Sequence, residues 1–253
     1  MLAPSIRRGL AAGLLAGVLA GLFAFVIGEI PVREAIRIEE ALEGASADDP
    51  AASGHDDPAD FSVSRTTQQA LLPVATAVVG AAFGGLFGVL FAFVRGFIRD
   101  PDDWRASLKL GAVAWVAMAL VPLLAAPPNP PGVGDPGAVG TRSAWYLAAI
   151  GLSIALAAAL WTFAHRLHAT GFRDAPRQVV VAAVALVAFG GLVLALPSST
   201  EAGGPGFPGE LLWQFRLASL ATQTLLWAGI AAVFGLLWDR DTAKNGARPR
   251  WPA

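Results

Sequence analysis

Residues Ala70–Val94 read "ALLPVATAVVGAAFGGLFGVLFAFV", twenty-five consecutive positions without Asp, Glu, Lys, Arg or His. A helix rises about 1.5 Å per residue and a bilayer's hydrocarbon core is about 30 Å thick, so about 20 apolar residues cross it. Five more charge-free runs share this character: Leu10–Gly28, Leu110–Ala126, Ala144–Ala164, Val179–Leu196 and Leu217–Trp238. The two shortest cross if their polar ends snorkel or the bilayer thins locally. Only 15% of the 253 residues are charged, against about a quarter in a soluble domain. A small soluble globule cannot enclose six helices that are apolar all round. The expected fold is therefore all-α, a polytopic membrane protein with six transmembrane helices. Residues 1–240 form the integral membrane domain and 241–253 a short tail.

Arg7 and Arg8 precede the first run, as in a signal peptide. The run is longer than the usual apolar core of about 7–15 residues, and no small-x-small cleavage pattern follows "FVIGEIPVRE", so an uncleaved first span is expected. Lys and Arg are retained on the cytoplasmic side of a membrane. With both termini cytoplasmic, 13 of the 18 basic residues lie inside, and Arg33, Arg37, Arg65, Arg142 and Arg216 lie outside. The first outer loop, Glu29–Gln69, is then long and acidic. The cell (inner) membrane is the expected location, and the lipid bilayer the first partner. A net charge of -1 gives no sign of nucleic acid.

A repeat organises the loops. "GFIRDP" at Gly96–Pro101 returns as "GFRDAP" at Gly171–Pro176, 75 positions later, and Arg65, Arg142 and Arg216 are spaced 77 and 74 apart. The spacing suggests three helical hairpins, with sites at repeat interfaces as in many transporters. Chance likeness of Arg-flanked helices is the alternative.

The first outer loop gathers Glu29, Glu34, Glu39, Glu40, Glu43, Asp48, Asp49, His55, Asp56, Asp57 and Asp60. Carboxylates with an imidazole suit a divalent ion of intermediate hardness such as cobalt, nickel or manganese. Within "IPVREAIRIEEALE" the apolar residues recur at helical spacing, as in an amphipathic surface helix. The plainer reading of "GASADDPAASGHDDPAD" is a solvated linker. His165 and His168 end the fourth span, but Arg166 and Arg173 beside them oppose a cation.

Between the third and fourth spans lies "PPNPPGVGDPGAVGTR", Pro127–Arg142, with five prolines and four glycines. Proline fixes φ and donates no backbone hydrogen bond, so the segment caps two helices stiffly while its glycines allow turns. Asn129, Asp135 and its carbonyls could also line an outer mouth. Ser219 and Gln223, at i and i+4 of the last span, could offer oxygens to a pathway or bond a neighbouring helix. Gly13, Gly17 and Gly21, and Gly80, Gly84 and Gly88, have the spacing that brings helices close.

There is no cysteine, which excludes disulfides and thiolate chemistry. No phosphate-binding loop, H-E-x-x-H or G-x-S-x-G motif occurs, so an enzyme is not expected.

The segments "GEIPVREAIRIEEA", "VSRTTQQALL", "PNPPGVGDPGAVGTRSAWYL" and "FPGELLWQFRLASLATQTLLW" resemble, in order, those of the CbtA family of predicted cobalt transporter subunits. The resemblance implies cobalt uptake linked to cobalamin biosynthesis, with cobalt(II) as transported ion and no tightly bound cofactor. It implies a small single-span CbtB-like partner subunit with a histidine-bearing terminus. It singles out Glu29, Pro31, Glu39 and Glu40, then Asn129, Pro130, Pro131, Asp135 and Arg142, then Pro208, Arg216, Ser219 and Gln223. The histidine and acids of the family's first loop correspond to His55, Asp56 and Asp57. Of these, Glu29, Glu39, Glu40, His55, Asp56, Asp57 and Asp135 are the expected metal-handling residues. Asn129, Pro130, Pro131, Arg142, Arg216, Ser219 and Gln223 are expected to shape the pathway. The family is described with five spans, one fewer than here. Since no span holds an ionisable residue, backbone and neutral oxygens, a partner, or several copies around one pore must replace the ion's hydration shell. A scaffold that holds the true permease is the competing expectation.

Overall fold

The computed structural model describes residues 2–46, 64–98, 100, 102–134, 136–197 and 207–245. Six helical stretches among them are long and apolar enough to cross a membrane. Their order is α1 (Leu2–Phe23), a π-helical turn (Ala24–Gly28), α2 (Glu29–Ser46), α3 (Arg65–Val94), a 3-10 turn (Arg95–Phe97), α4 (Asp103–Trp115), a second π turn (Val116–Leu120), α5 (Val121–Ala125), a 3-10 turn (Pro136–Ala138), α6 (Val139–Ala169), α7 (Asp174–Ala195) and α8 (Gly209–Asn245). The first span thus continues without a break into the amphipathic helix expected beyond it.

Both π turns have a proline cause. Pro31 and Pro122 each lack the N–H that would bond the carbonyl four residues back. Those carbonyls belong to Ile27 and Met118, inside the two π turns. Removing the bond and avoiding the ring clash opens the helix just upstream. The inserted residue rotates everything beyond it by about 100°. Ahead of Pro31, that rotation sets the direction of Glu29.

The chain divides into two compact units. The first comprises Met1–Gly111, Asn129–Val133 and Ala202–Ala253; the second comprises Ala112–Pro128 and Gly134–Glu201. In the first unit α1 lies directly on α3. A Cβ added at Gly13 would meet the Gly80 carbonyl oxygen at 2.0 Å, and one at Gly9 the Gly84 oxygen at 2.1 Å. Backbones touch, so the four-residue glycine spacing is a packing device. In hydrocarbon such close van der Waals contact drives helix association. α8 completes the unit with an aromatic ladder on α3: Phe83 on Trp227, Phe87 and Phe91 on Phe234, and Phe91 on Trp238. The start of α4 also meets α8, where the buried Ser107 hydroxyl donates to the Ala231 carbonyl at 2.7 Å. Gly111 faces the Ala231 methyl closely enough to exclude a side chain of its own.

In the second unit Ala125, Ala149 and Leu196 form a small core with Leu192 against it. α7 buries none of its residues within the chain. Leu186, Val187 and Leu194 stand exposed, a surface that suits lipid tails rather than water.

α7 belongs to the second unit and α8 to the first, because the small and aromatic face of α8 complements α1, α3 and α4. Each of the two similar turn segments has an ion pair beside it, Arg95 with Asp103 and Arg177 with Asp174, though at positions that do not correspond.

The first unit has two distinct ends. Arg8 lies over the Trp238 ring, 4.5 Å from its centroid, at the end that also carries Arg95 and Asp103. Glu29, Arg65, Asn129 and Arg216 occupy the other end.

Candidate functional site

Glu29 follows the first π turn at the edge of the apolar span, and it is buried. Its Oε2 accepts hydrogen bonds from Arg65 Nη2 at 2.6 Å and Gln69 Nε2 at 2.9 Å. Arg65 and Gln69 are i and i+4 on the first turns of α3, one face above the other. Ser64 starts that helix by accepting from the Thr67 N–H at 3.3 Å, an N-cap that fixes where Arg65 sits. Arg65 also donates to Gln68 Oε1 at 3.1 Å. Its Nε is buried with no partner among the described residues. A carboxylate at a membrane edge is costly unless paired and hydrogen-bonded. Glu29 has both kinds of support on Oε2, and its Oε1 has no protein donor among the described residues.

The proline-rich loop contributes a strap, Asn129–Val133, to the same unit. Pro130 through Val133 form a tight turn closed by the Val133 N–H to the Pro130 carbonyl at 3.3 Å. With Pro131 second and Gly132 third at φ 73°, it has the form of a type II turn. Gly132 rests on Glu39: a Cβ there would lie 2.8 Å from the Glu39 carboxyl carbon. At the start of the strap, Asn129 Oδ1 accepts from Arg216 Nη2 at 3.1 Å. The strap therefore ties α2 to the start of α8. Pro130 is buried and Pro131 exposed.

The remaining expected residues are dispersed. Glu39 is half-buried and Glu40 exposed. Ten residues of continuous helix put Glu39 about 15 Å along the axis from Glu29, too far to share one ion. Ser219 donates back to the Phe215 carbonyl at 2.9 Å, and Thr222 does likewise to Ala218 at 2.8 Å. Gln223 is half-buried in the span. Arg142, in the first turns of α6, belongs to the second unit. His55, Asp56, Asp57 and Asp135 lie outside the described residues. Among the described residues no three His, Asp or Glu side chains gather as a metal-binding group.

At the opposite end Arg95, only 4% exposed, organises the turn before α4. It binds Asp103 and donates to the carbonyls of Ile98 at 3.1 Å and Asp100 at 2.8 Å. Burial pushes the Asp100 carboxyl up, but the Lys109 hydrogen bond, the Asp102 N–H and the charges of Lys109 and Arg105 outweigh it. The net result lies below the ordinary carboxylate value. In the second unit, beside α7, Arg177 holds His168 and Asp174, and His165 packs on Trp161 at 5.5 Å.

Sequence reading did not single out Arg65 and Gln69 as site residues. The available signal was their i, i+4 spacing at the mouth of a span, in a segment whose acidic partner lies 36 and 40 positions earlier.

The model of one protein family, described as "Probable cobalt transporter subunit (CbtA)", matches residues 4–239 of the chain. Neither a curated protein nor a solved structure matches it.

Proposed function

The chain belongs to the CbtA family of probable cobalt transporter subunits, and on that premise we propose that it takes up cobalt(II) across the inner cell membrane for cobalamin biosynthesis. It performs no covalent chemistry in this role, and it works with a small single-span CbtB-like subunit or as several copies around one pore. Its Glu29 end faces outward and its basic end inward, as the distribution of Lys and Arg requires.

The observation that carries this reading is the buried Glu29 carboxylate at the edge of a span, held by Arg65 and Gln69. The loop that joins Glu29 to Arg65 holds Asp48, Asp49, His55, Asp56, Asp57 and Asp60, a donor set suited to cobalt(II). These groups collect the ion, and Glu29 receives it. Arg65 is the carboxylate's resident counter-cation and must yield, because a guanidinium and a divalent ion repel across so short a distance. Its side chain is 39% exposed, so it has water to retreat into. Gln69 adds a neutral oxygen. Passage onward runs between helices, with Ser219 and Gln223 on one face of α8 as oxygen donors. Cobalt accumulation in liposomes containing the chain and its partner tests this: Glu29→Gln should abolish it, and unchanged accumulation would refute the role of Glu29.

One observation favours a second reading. The spans hold no ionisable residue, and no three-ligand cluster occurs among the described residues, as suits a scaffold beside the true permease. Liposomes that accumulate no cobalt with or without the partner would favour it.

A further inference from the structure

Beside the Glu29 site, on the same end of the first unit, α2 and the start of α8 enclose an open groove of about 270 Å³. Arg33, Arg37 and Glu34 line one wall, Gln214 the other, and Ile30 and Leu211 give it an apolar floor. Arg33 spends only its Nε, on the Glu29 carbonyl at 3.3 Å. Both of its Nη groups lack a protein acceptor among the described residues. Arg37 shares Nη1 with Glu34 at 3.3 Å. Two guanidiniums against one carboxylate leave the lining one positive charge in excess.

The depth of the groove identifies its occupant. Arg33 stands five residues beyond Gly28, where the apolar run ends, about 7.5 Å along the helix. A headgroup layer is about 5–7 Å deep on each side of the hydrocarbon, and an arginine stem reaches into it. Across the groove, exposed Trp213 marks the same interface on α8. We infer that this groove is a binding site for the phosphodiester of an anionic glycerophospholipid. The free Nη groups of Arg33 and the fork of Arg37 receive the phosphate oxygens. Gln214 meets the glycerol ester, and Ile30 and Leu211 take the first methylenes of an acyl chain. The apolar floor distinguishes a lipid from free phosphate, which has no use for it.

Native mass spectrometry of the full, delipidated chain in detergent tests the assignment, with phosphatidylglycerol in one titration and inorganic phosphate in another. The expected result is one phosphatidylglycerol retained at low excess, inorganic phosphate at least tenfold weaker, and at least tenfold less lipid on Arg33→Gln/Arg37→Gln. Both arginines are exposed, so this variant should melt like the wild type. If it does not, Arg37→Gln alone serves, with at least a threefold loss expected. Lipid retention unchanged by the substitutions, or inorganic phosphate binding as tightly as the lipid, would overturn the proposal.

Discussion

Arg65 and Glu29, 36 positions apart in sequence, meet at 2.6 Å where the first and second spans leave the membrane. The contact closes the first hairpin at its acidic end, as the glycine seam closes it along its length. It places a carboxylate, a guanidinium and an amide together at the edge of the spans. Glu29→Gln should destabilise the protein by about 1.5–3 kcal/mol, the range for a hydrogen bond to a charged group. Arg65→Gln should cost at least as much, because it leaves the buried Glu29 carboxylate without its counter-charge. The double variant should lose less than the sum, which thermal unfolding of all four proteins in detergent would reveal as a coupling.

The seam between α1 and α3 admits no side chain. Gly13→Leu should lower stability by at least about 1–3 kcal/mol, the usual cost of overpacking, because the new atoms would meet the Gly80 carbonyl rather than a movable side chain. Gly44, with open space around it, should accept Ala with little change. The melting temperatures of the two variants, compared side by side, check this.

Gly132 carries a positive φ and rests on Glu39. Gly132→Ala should strain the turn by about 1 kcal/mol and loosen the strap. Faster proteolysis or hydrogen exchange at residues 129–133 would be the readout.

The lowered carboxyl of Asp100 links stability to pH. A depressed folded-state value means that its contribution is present above the unfolded value near 3.9 and is lost as pH falls through the lower folded one. Asp100→Asn should therefore melt earlier than the wild type at neutral pH, and the gap should close only below about pH 4. Melting curves between pH 3 and 7 would show it.

The spans were legible because a charge-free run of such length has one cheap environment. So was the glycine seam, where a spacing of four leaves one bare stripe. Turns were expected at the glycines of the proline-rich segment, and one of them closes from Pro130 to Val133. The grouping of the spans was less accessible, since α8 joins α1 and α3 across most of the chain and nothing local announces which aromatic faces will meet. Glu29 was named among the outer acids and by the resemblance, but its contact with Arg65 and Gln69 follows a π turn whose cause, Pro31, lies two residues beyond it. Glu39 and Glu40 were grouped with Glu29 through the family resemblance, although the helix expected there already sets them apart.

The most direct measurement is cobalt(II) accumulation by liposomes holding the purified chain and the proposed single-span partner, with Glu29→Gln and His55→Ala/Asp56→Ala/Asp57→Ala compared with the wild type. The account predicts uptake by the wild type, severe loss in the loop variant, and none with Glu29→Gln despite retained folding. Uptake at the wild-type rate by both variants would contradict it.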